Sequence, residues 1–225
     1  MPKAVPNRRL SAIFISDVVG YSRLMNKDEL GTVNRIKTLN AGLMHPAIVA
    51  AGGRLIKKMG DGLLAEFPSA VDALRCAVEV QSALVADQAS YPEADRIRLR
   101  IGINVGDVLL EEEDIYGDGV NVAARLESLA EPGEISISGT VKAAVGRNLE
   151  LHYDYLGEQE VKYIDQPIQV YRVIDAGGDR DTTVGPQREL PSLPDKPSIA
   201  VLAFNNMSDD SEQEYFSDGI TEDII

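Results

Sequence analysis

The stretch RLIKKMGDGLLAEF, residues 54–67, decides the fold. Two short apolar runs flank Gly60-Asp61-Gly62, and an Asp-Gly between apolar runs is a strong hairpin signal. Upstream, LSAIFISD (10–17) is a β-branched apolar run and reads as a buried strand. Between that strand and the hairpin, Leu30, Val33, Ile36, Leu39 and Leu43 keep helical spacing over 28–51, until Gly52-Gly53 stops it. Downstream, Pro68-Ser69-Ala70-Val71-Asp72 opens a helix with a capping-box pattern, and the helix runs on to Ala86. From Arg96 to Asn104 the residues alternate. Ile97, Leu99, Ile101 and Ile103 take one face and Arg96, Arg98 and Arg100 the other, as in a half-buried strand.

The order is β-α-β-β-α-β, the ferredoxin-like split βαβ arrangement. It predicts an α+β fold with an antiparallel sheet and one helix-bearing face. Further elements follow. A turn at Gly106-Asp107 leads into a strand at 108–110, and a helix spans 120–129, ended by Pro132-Gly133. Then come a strand at 134–138, a short helix at 139–145, and a terminal hairpin within 151–174. Residues 176–196 are rich in Pro, Gly and polar side chains and read as a linker. SIAVLAF (198–204) is again a buried-strand signal, followed by an acidic run. One strand and a helix start cannot bury a core, so 197–225 reads as the first piece of a second domain cut short.

A chain of 225 residues has room for one large domain, or one domain plus a fragment. Its composition, 44% hydrophobic and 26% charged, is that of a globular protein with material for a sizeable core. The net charge of −14 argues against general binding of nucleic acid or an anionic membrane, because an acidic surface repels phosphate. The charge is uneven: residues 1–67 carry a net +5 and residues 68–225 a net −19, so an anion is better sought in the first third. The single Cys76 excludes an intramolecular disulfide and fits a reducing, cytoplasmic setting. One Cys and two His (His45, His152) cannot make an ordinary structural zinc site. No apolar run is long enough to span a membrane, and the N-terminus lacks the apolar core of a signal peptide.

Two carboxylates stand out. Asp17 ends a buried strand and Asp61 tips the hairpin; in a β-α-β-β sheet those places can meet at one end. Paired carboxylates suit Mg²⁺ or Mn²⁺, which take oxygen ligands and keep substrate phosphates as others. By spacing alone, a helix cap at Asp17 and a plain turn residue at Asp61 are equally good readings. After Asp17, the backbone amides of Val18-Val19-Gly20-Tyr21-Ser22 precede helical sequence and suit a phosphate. There is no Walker sequence, and the two GxG triplets at 60–62 and 117–119 lack a Rossmann context. DIYGDGVNVAAR (114–125) fails as a calcium loop, with Tyr116 at position three and Arg125 at position twelve. Asn121 and Arg125, four apart, share a helix face; an amide beside a guanidinium suits ribose and polyphosphate. An exposed polar helix face is the plainer alternative. The small Ala123 and Ala124 permit close packing, as against another chain.

FISDVVGYSRLM around Asp17, LIKKMGDGLLAEF around Lys57 and Asp61, and DIYGDGVNVAARL around Asp114, Asn121 and Arg125 together resemble the class III nucleotidyl cyclase catalytic domain. The resemblance covers residues 8–175. It implies that Asp17, Asp61 and the carbonyl of Val18 bind two Mg²⁺ or Mn²⁺ ions, with Val19, Gly20 and Tyr21 at the phosphates. One metal would lower the pKa of the ribose 3′-hydroxyl and the other would hold the triphosphate. Arg125 would stabilise charge on the phosphoryl oxygens and Asn121 would orient the ribose. Lys57 and Asp114 would read the base. Adenine offers an acceptor at N1 and a donor at N6, which Lys and Asp complement, so the pair predicts ATP and cyclic AMP. Guanylyl members typically have Glu and Cys there. Lys58, by strand alternation, should point to the other face.

The family also implies a head-to-tail homodimer. Each site would take its metal aspartates from one chain, and Lys57, Asp114, Asn121 and Arg125 from the other. Two departures, Asn104 where relatives carry His and Tyr21 for a common Phe, leave the implied chemistry intact. PSIAVLAFNNMSDDSEQEYFSDGITEDII (197–225) resembles the start of a TolB-like domain, implying a longer parent protein with a further C-terminal domain. The alternatives are a nucleotide-binding, dimerising regulatory module without turnover, and a guanylate cyclase.

Overall fold

The computed structural model describes residues 7–111, 114–160, 164 and 167–174. The expected linker and the expected second-domain fragment lie outside the described residues. The chain runs through β1 (Asn7–Val18), α1 (Tyr21–Lys27), α2 (Glu29–Leu39), α3 (His45–Ala50), β2 (Arg54–Met59), β3 (Gly62–Phe67) and α4 (Ala70–Gln88). It continues through β4 (Leu99–Glu111), β5 (Asp114–Tyr116), α5 (Asp118–Leu129), β6 (Ile135–Ser138), α6 (Gly139–Val145), β7 (His152–Gln159) and β8 (Ile168–Ile174).

The strands form one sheet in the order β2-β3-β1-β4-β6-β8-β7, with β5 paired to β4 off that path. Its first four strands, β1 to β4, lie in the order β4-β1-β3-β2 with every neighbour antiparallel, as the split βαβ pattern requires. Among the described strands the exception to antiparallel pairing is β4 with β6. A helix, α5, sits in the connection between them, and a crossover of that kind allows parallel neighbours.

The expectation of a single helix-bearing face is corrected. Ala12 and Phe14 of β1 join the core under α2, α3, α4 and α6, while Ile13 and Ile15 pack with Ala123 of α5. Ser11 to Ser16 are all buried, so this stretch of β1 has no wet face. Helix α5 can lie flat on the sheet because β4 has no side chain at Gly102. A Cβ there would stand 2.3 Å from both the Ala123 carbonyl oxygen and the Glu127 nitrogen. Ala123 therefore meets its own sheet rather than another chain.

Two local expectations also change. The helix over 28–51 is broken. Asp28 takes extended dihedrals and its carboxylate accepts from the Gly31 amide at 2.9 Å, ending α1 and capping α2. Residues Asn40–Met44 widen into a π-helical turn just before Pro46, which has no N–H to continue an α-helical ladder. The turn expected at Gly106-Asp107 is absent, and β4 runs unbroken for 13 residues. Gly106 instead lets the start of α5 come close: its Cβ position lies 3.0 Å from Gly119 Cα. Asn104 secures that approach by donating to the Gly119 carbonyl at 3.1 Å.

Candidate active site

Asp17 stands at the end of β1, beside the hairpin turn. It caps no helix: the residue before α1 is Gly20, which has no side-chain cap bond. The β2–β3 turn consists of Gly60 and Asp61, and Gly60 holds φ at 65°, the left-handed conformation that tight hairpin turns need. Gly62 presses this turn against β1. Its Cβ position would lie 2.5 Å from the Ser16 carbonyl oxygen and 3.5 Å from Asp17 Oδ1. The two carboxylates, 44 residues apart in sequence, thus meet at one end of the sheet.

Their meeting is electrostatically awkward. Burial and the facing charge of Asp17 push the Asp61 carboxyl above its ordinary value, against the pull of the Asp61 and Val18 backbone amides. A divalent cation relieves this directly. It replaces mutual repulsion with shared attraction, and two carboxylates are hard oxygen donors. Among the described residues no three His, Cys, Asp or Glu side chains gather as a metal-binding group. Phosphate, backbone oxygen or water would therefore complete any coordination here.

Val18 is buried in β1. The Val19 amide is bonded to the Arg98 carbonyl at 2.9 Å, so in this structure it is not a free donor. The phosphate reading then rests on Gly20 and Tyr21.

Lys57 and Asp114 also come together. Lys57 Nζ donates to Asp114 Oδ2 at 2.6 Å and lies 5.8 Å above the Tyr116 ring. The ammonium holds the Asp114 carboxyl below its ordinary value. A β-bulge makes this possible. Leu55 pairs with Ala65, but the register then shifts and Lys57 pairs with Leu64. Lys57 thereby faces the α5 side with Leu64, whereas Lys58 pairs with Leu63 and faces the opposite side.

Asn121 and Arg125 are both exposed, on the side of α5 turned away from the buried Gly119, Val122, Ala123, Leu126 and Glu127. Among the described residues neither makes a side-chain hydrogen bond or an ion pair with Asp17 or Asp61. One chain therefore brings together two of the three predicted pairs and leaves the third facing outward.

The description of the catalytic domain shared by adenylate and guanylate cyclases matches residues 6–175 of this chain. The chain belongs to that family. It is 44% identical, over all 225 residues, to the Rhizobium meliloti protein named "Putative adenylate cyclase 3", of which it spans 38%. A crystal structure of an adenylate/guanylate cyclase/hydrolase from Silicibacter pomeroyi superposes with a TM-score of 0.72 at 46% identity, covering 76% of this chain and 99% of that one. The guanylyl cyclase Cya2 superposes at 0.65 with 27% identity, covering 75% of this chain and 93% of that one. Neighbours named for adenylate and for guanylate thus share the architecture, and the fold by itself does not select the base. Among the described residues of this cyclase domain, no helix is long and apolar enough to cross a membrane.

Two residues at the carboxylates escaped the sequence reading. Arg100 Nη2 of β4 donates to Asp17 Oδ2 at 2.8 Å, and Arg100 Nε lies 3.0 Å from Glu127 Oε1 of α5. Side chains of both Arg100 and Asp17 are 29% exposed, and a pair in such a setting is worth about 1 kcal/mol or less. A divalent cation can displace it. Burial, followed by the charges of Asp17 and Asp61, pushes the Glu127 carboxyl up, and Arg100 opposes that shift. The one sequence signal for Arg100 was its register, since strand pairing sets it opposite Asp17.

The raised Asp61 carboxyl carries a stability consequence. A group whose folded pKa lies above its unfolded one loses stability as pH rises through that interval. Asp61→Asn should therefore melt on the order of 1–2 °C higher than the unmodified domain at neutral pH with chelator present. The gain should vanish in acid, below the ordinary carboxylate value, and Mn²⁺ should no longer raise the melting temperature of the variant. A scan of thermal melts against pH, with EDTA or Mn²⁺, checks all three.

Proposed function

We propose that this cyclase domain is an adenylate cyclase, converting ATP into 3′,5′-cyclic AMP and pyrophosphate in sites shared between two copies. One observation carries the reading. Asp17 and Asp61 converge in one chain while Asn121 and Arg125 of the same chain face outward, so a complete set needs a second copy. Head-to-tail pairing would set α5 of one chain over the carboxylates of its partner and would give two equivalent sites.

Asp17, Asp61 and the Val18 carbonyl would hold two Mg²⁺ or Mn²⁺ ions. When bound, the ions supply positive charge at the triphosphate and lower the pKa of the ribose 3′-hydroxyl. Asn121 orients the ribose so that the 3′-oxygen lies in line with the α-phosphorus. As the new P–O bond forms and pyrophosphate departs, Arg125 stabilises the charge on the phosphoryl oxygens. Amides at Gly20 and Tyr21 face the phosphates. Lys57 donates to adenine N1 while Asp114 accepts from the N6 amino group. Their present mutual bond holds the two groups side by side. A further C-terminal domain, of which 197–225 would be the TolB-like start, would follow in a longer protein.

The test is cyclic nucleotide production by the purified protein with Mn²⁺, from ATP and GTP in competition, across a protein concentration series. Cyclic AMP should dominate, and the rate per mole of chain should rise with concentration until dimers saturate. No cyclic product from either nucleotide, in a sample that is dimeric and binds Mn²⁺, would sink the proposal.

A further inference from the structure

Arg100 and Glu127 have no part in the reaction as just described, yet their geometry is unusual. The Arg100 guanidinium is divided between two acids, with Nη2 on Asp17 Oδ2 at 2.8 Å and Nε 3.0 Å from Glu127 Oε1. Only the first is a hydrogen bond. Arg100 Nε and Glu127 Oε1 are both buried and neither has a hydrogen-bond partner. The other Glu127 oxygen accepts a long bond, 3.4 Å, from the Ser128 hydroxyl. A buried donor and a buried acceptor, 3.0 Å apart and misaligned, make a poor resting arrangement that a small turn of the guanidinium would correct. The same turn would draw Nη2 off Asp17. Glu127 can come this close because Gly102 lets α5 rest on the β4 backbone.

We propose that Arg100 is the internal counter-ion that stands in for the metal cation at Asp17, and that Glu127 is the positioning residue that receives Arg100 when the cation arrives. The inference rests on the reading of Asp17 and Asp61 as the metal carboxylates. Guanidinium and divalent cation compete for one carboxylate. Without the cation, Arg100 neutralises Asp17 beside the repelling Asp61. With it, the guanidinium pairs fully with Glu127, so both buried polar atoms gain a partner and a positive charge leaves the cation's side. Glu127 thereby lowers the free energy of loading without touching the cation.

The experiment is Mn²⁺ titration of the nucleotide-free protein, with free Mn²⁺ followed by electron paramagnetic resonance. It compares the unmodified chain with Arg100→Gln, Glu127→Gln, their double variant and Asp17→Asn. Arg100→Gln should bind Mn²⁺ more tightly, by up to about fivefold, since the competitor is gone. Glu127→Gln should bind several-fold more weakly, because the guanidinium then has only Asp17. In the Arg100→Gln background the Glu127→Gln effect should largely disappear, which a general loss of packing or of negative charge would not produce. Unchanged or weaker binding by Arg100→Gln overturns the inference, as does a Glu127→Gln effect of equal size in both backgrounds. Should Glu127→Gln not fold, the Arg100→Gln arm decides alone. Unmodified Mn²⁺ binding by Asp17→Asn would overturn the metal-site reading itself, a separate result.

Discussion

Asp17→Ala and Arg125→Ala, each inactive as a pure protein, should regain activity when mixed. In a dimer with shared sites, one chain brings intact carboxylates and the other an intact α5. A mixed dimer therefore has one complete site and one doubly broken site. With random pairing of equal amounts, activity should reach about a quarter of the unmodified level. Each pure variant should fall by a factor on the order of 10³ or more, because the groups act on the same developing charge. The geometry supports this strongly on one point. Asn121 and Arg125 occupy the exposed side of α5, away from its buried stripe, and among the described residues neither bonds Asp17 of its own chain. Failure to recover activity, with mixed dimers demonstrated by a mass tag, would exclude shared sites.

The second large effect concerns the base. Lys57 and Asp114 form one hydrogen-bonded pair, a donor and an acceptor directed at one place. Adenine needs that polarity and guanine needs its reverse. Lys57→Glu combined with Asp114→Cys should lower kcat/KM for ATP by about a hundredfold or more, since buried polar groups without partners penalise the wrong base heavily. Activity with GTP should rise in the same variant, while Mn²⁺ affinity in the absence of nucleotide should stay unchanged. Lys57→Glu alone should be poor with both nucleotides, because it sets two acids against each other where a neutralised pair stood. Steady-state rates with ATP and GTP, set beside Mn²⁺ titrations, separate a change of base preference from damage to the metal carboxylates.

Much of the fold was legible because its signals are local. The Gly60-Asp61-Gly62 turn, the Ser69 cap and the alternation of Ile97, Leu99, Ile101 and Ile103 each depend on neighbours a few residues apart. Ser69 does accept from the Asp72 amide, at 3.3 Å, and all four of those β4-region residues are buried. Covering of both sheet faces was legible too. SAIFIS has no polar alternation that would leave a wet face and reads as a buried strand, which is at odds with the single helix-bearing face expected from the β-α-β-β-α-β order. The supposed turn at Gly106-Asp107 failed for a different reason. Glycine there answers to the close approach of Gly119, which lies 13 residues away and leaves no mark on the local pattern.

The candidate site divides in the same way. Residue types and spacings single out Asp17, Asp61, Asn121 and Arg125 as candidates beside plainer cap, turn and surface readings, whereas Lys57 and Asp114 enter only through the resemblance to the cyclase catalytic domain. Spacing also sets Lys58 apart from Lys57, since neighbours on a strand point oppositely. Tertiary structure alone decided which face each lysine takes, through a single unpaired residue, Ile56, that reverses the alternation after Leu55. It alone spent the Val19 amide on Arg98, and it alone brought Arg100 and Glu127 to the carboxylates. By sequence, Arg100 belongs to a solvated arginine stripe and Glu127 to an ordinary helix. Contacts of this kind arise from strand register and from a helix resting on a glycine, and both are properties of segments that meet only when the chain folds.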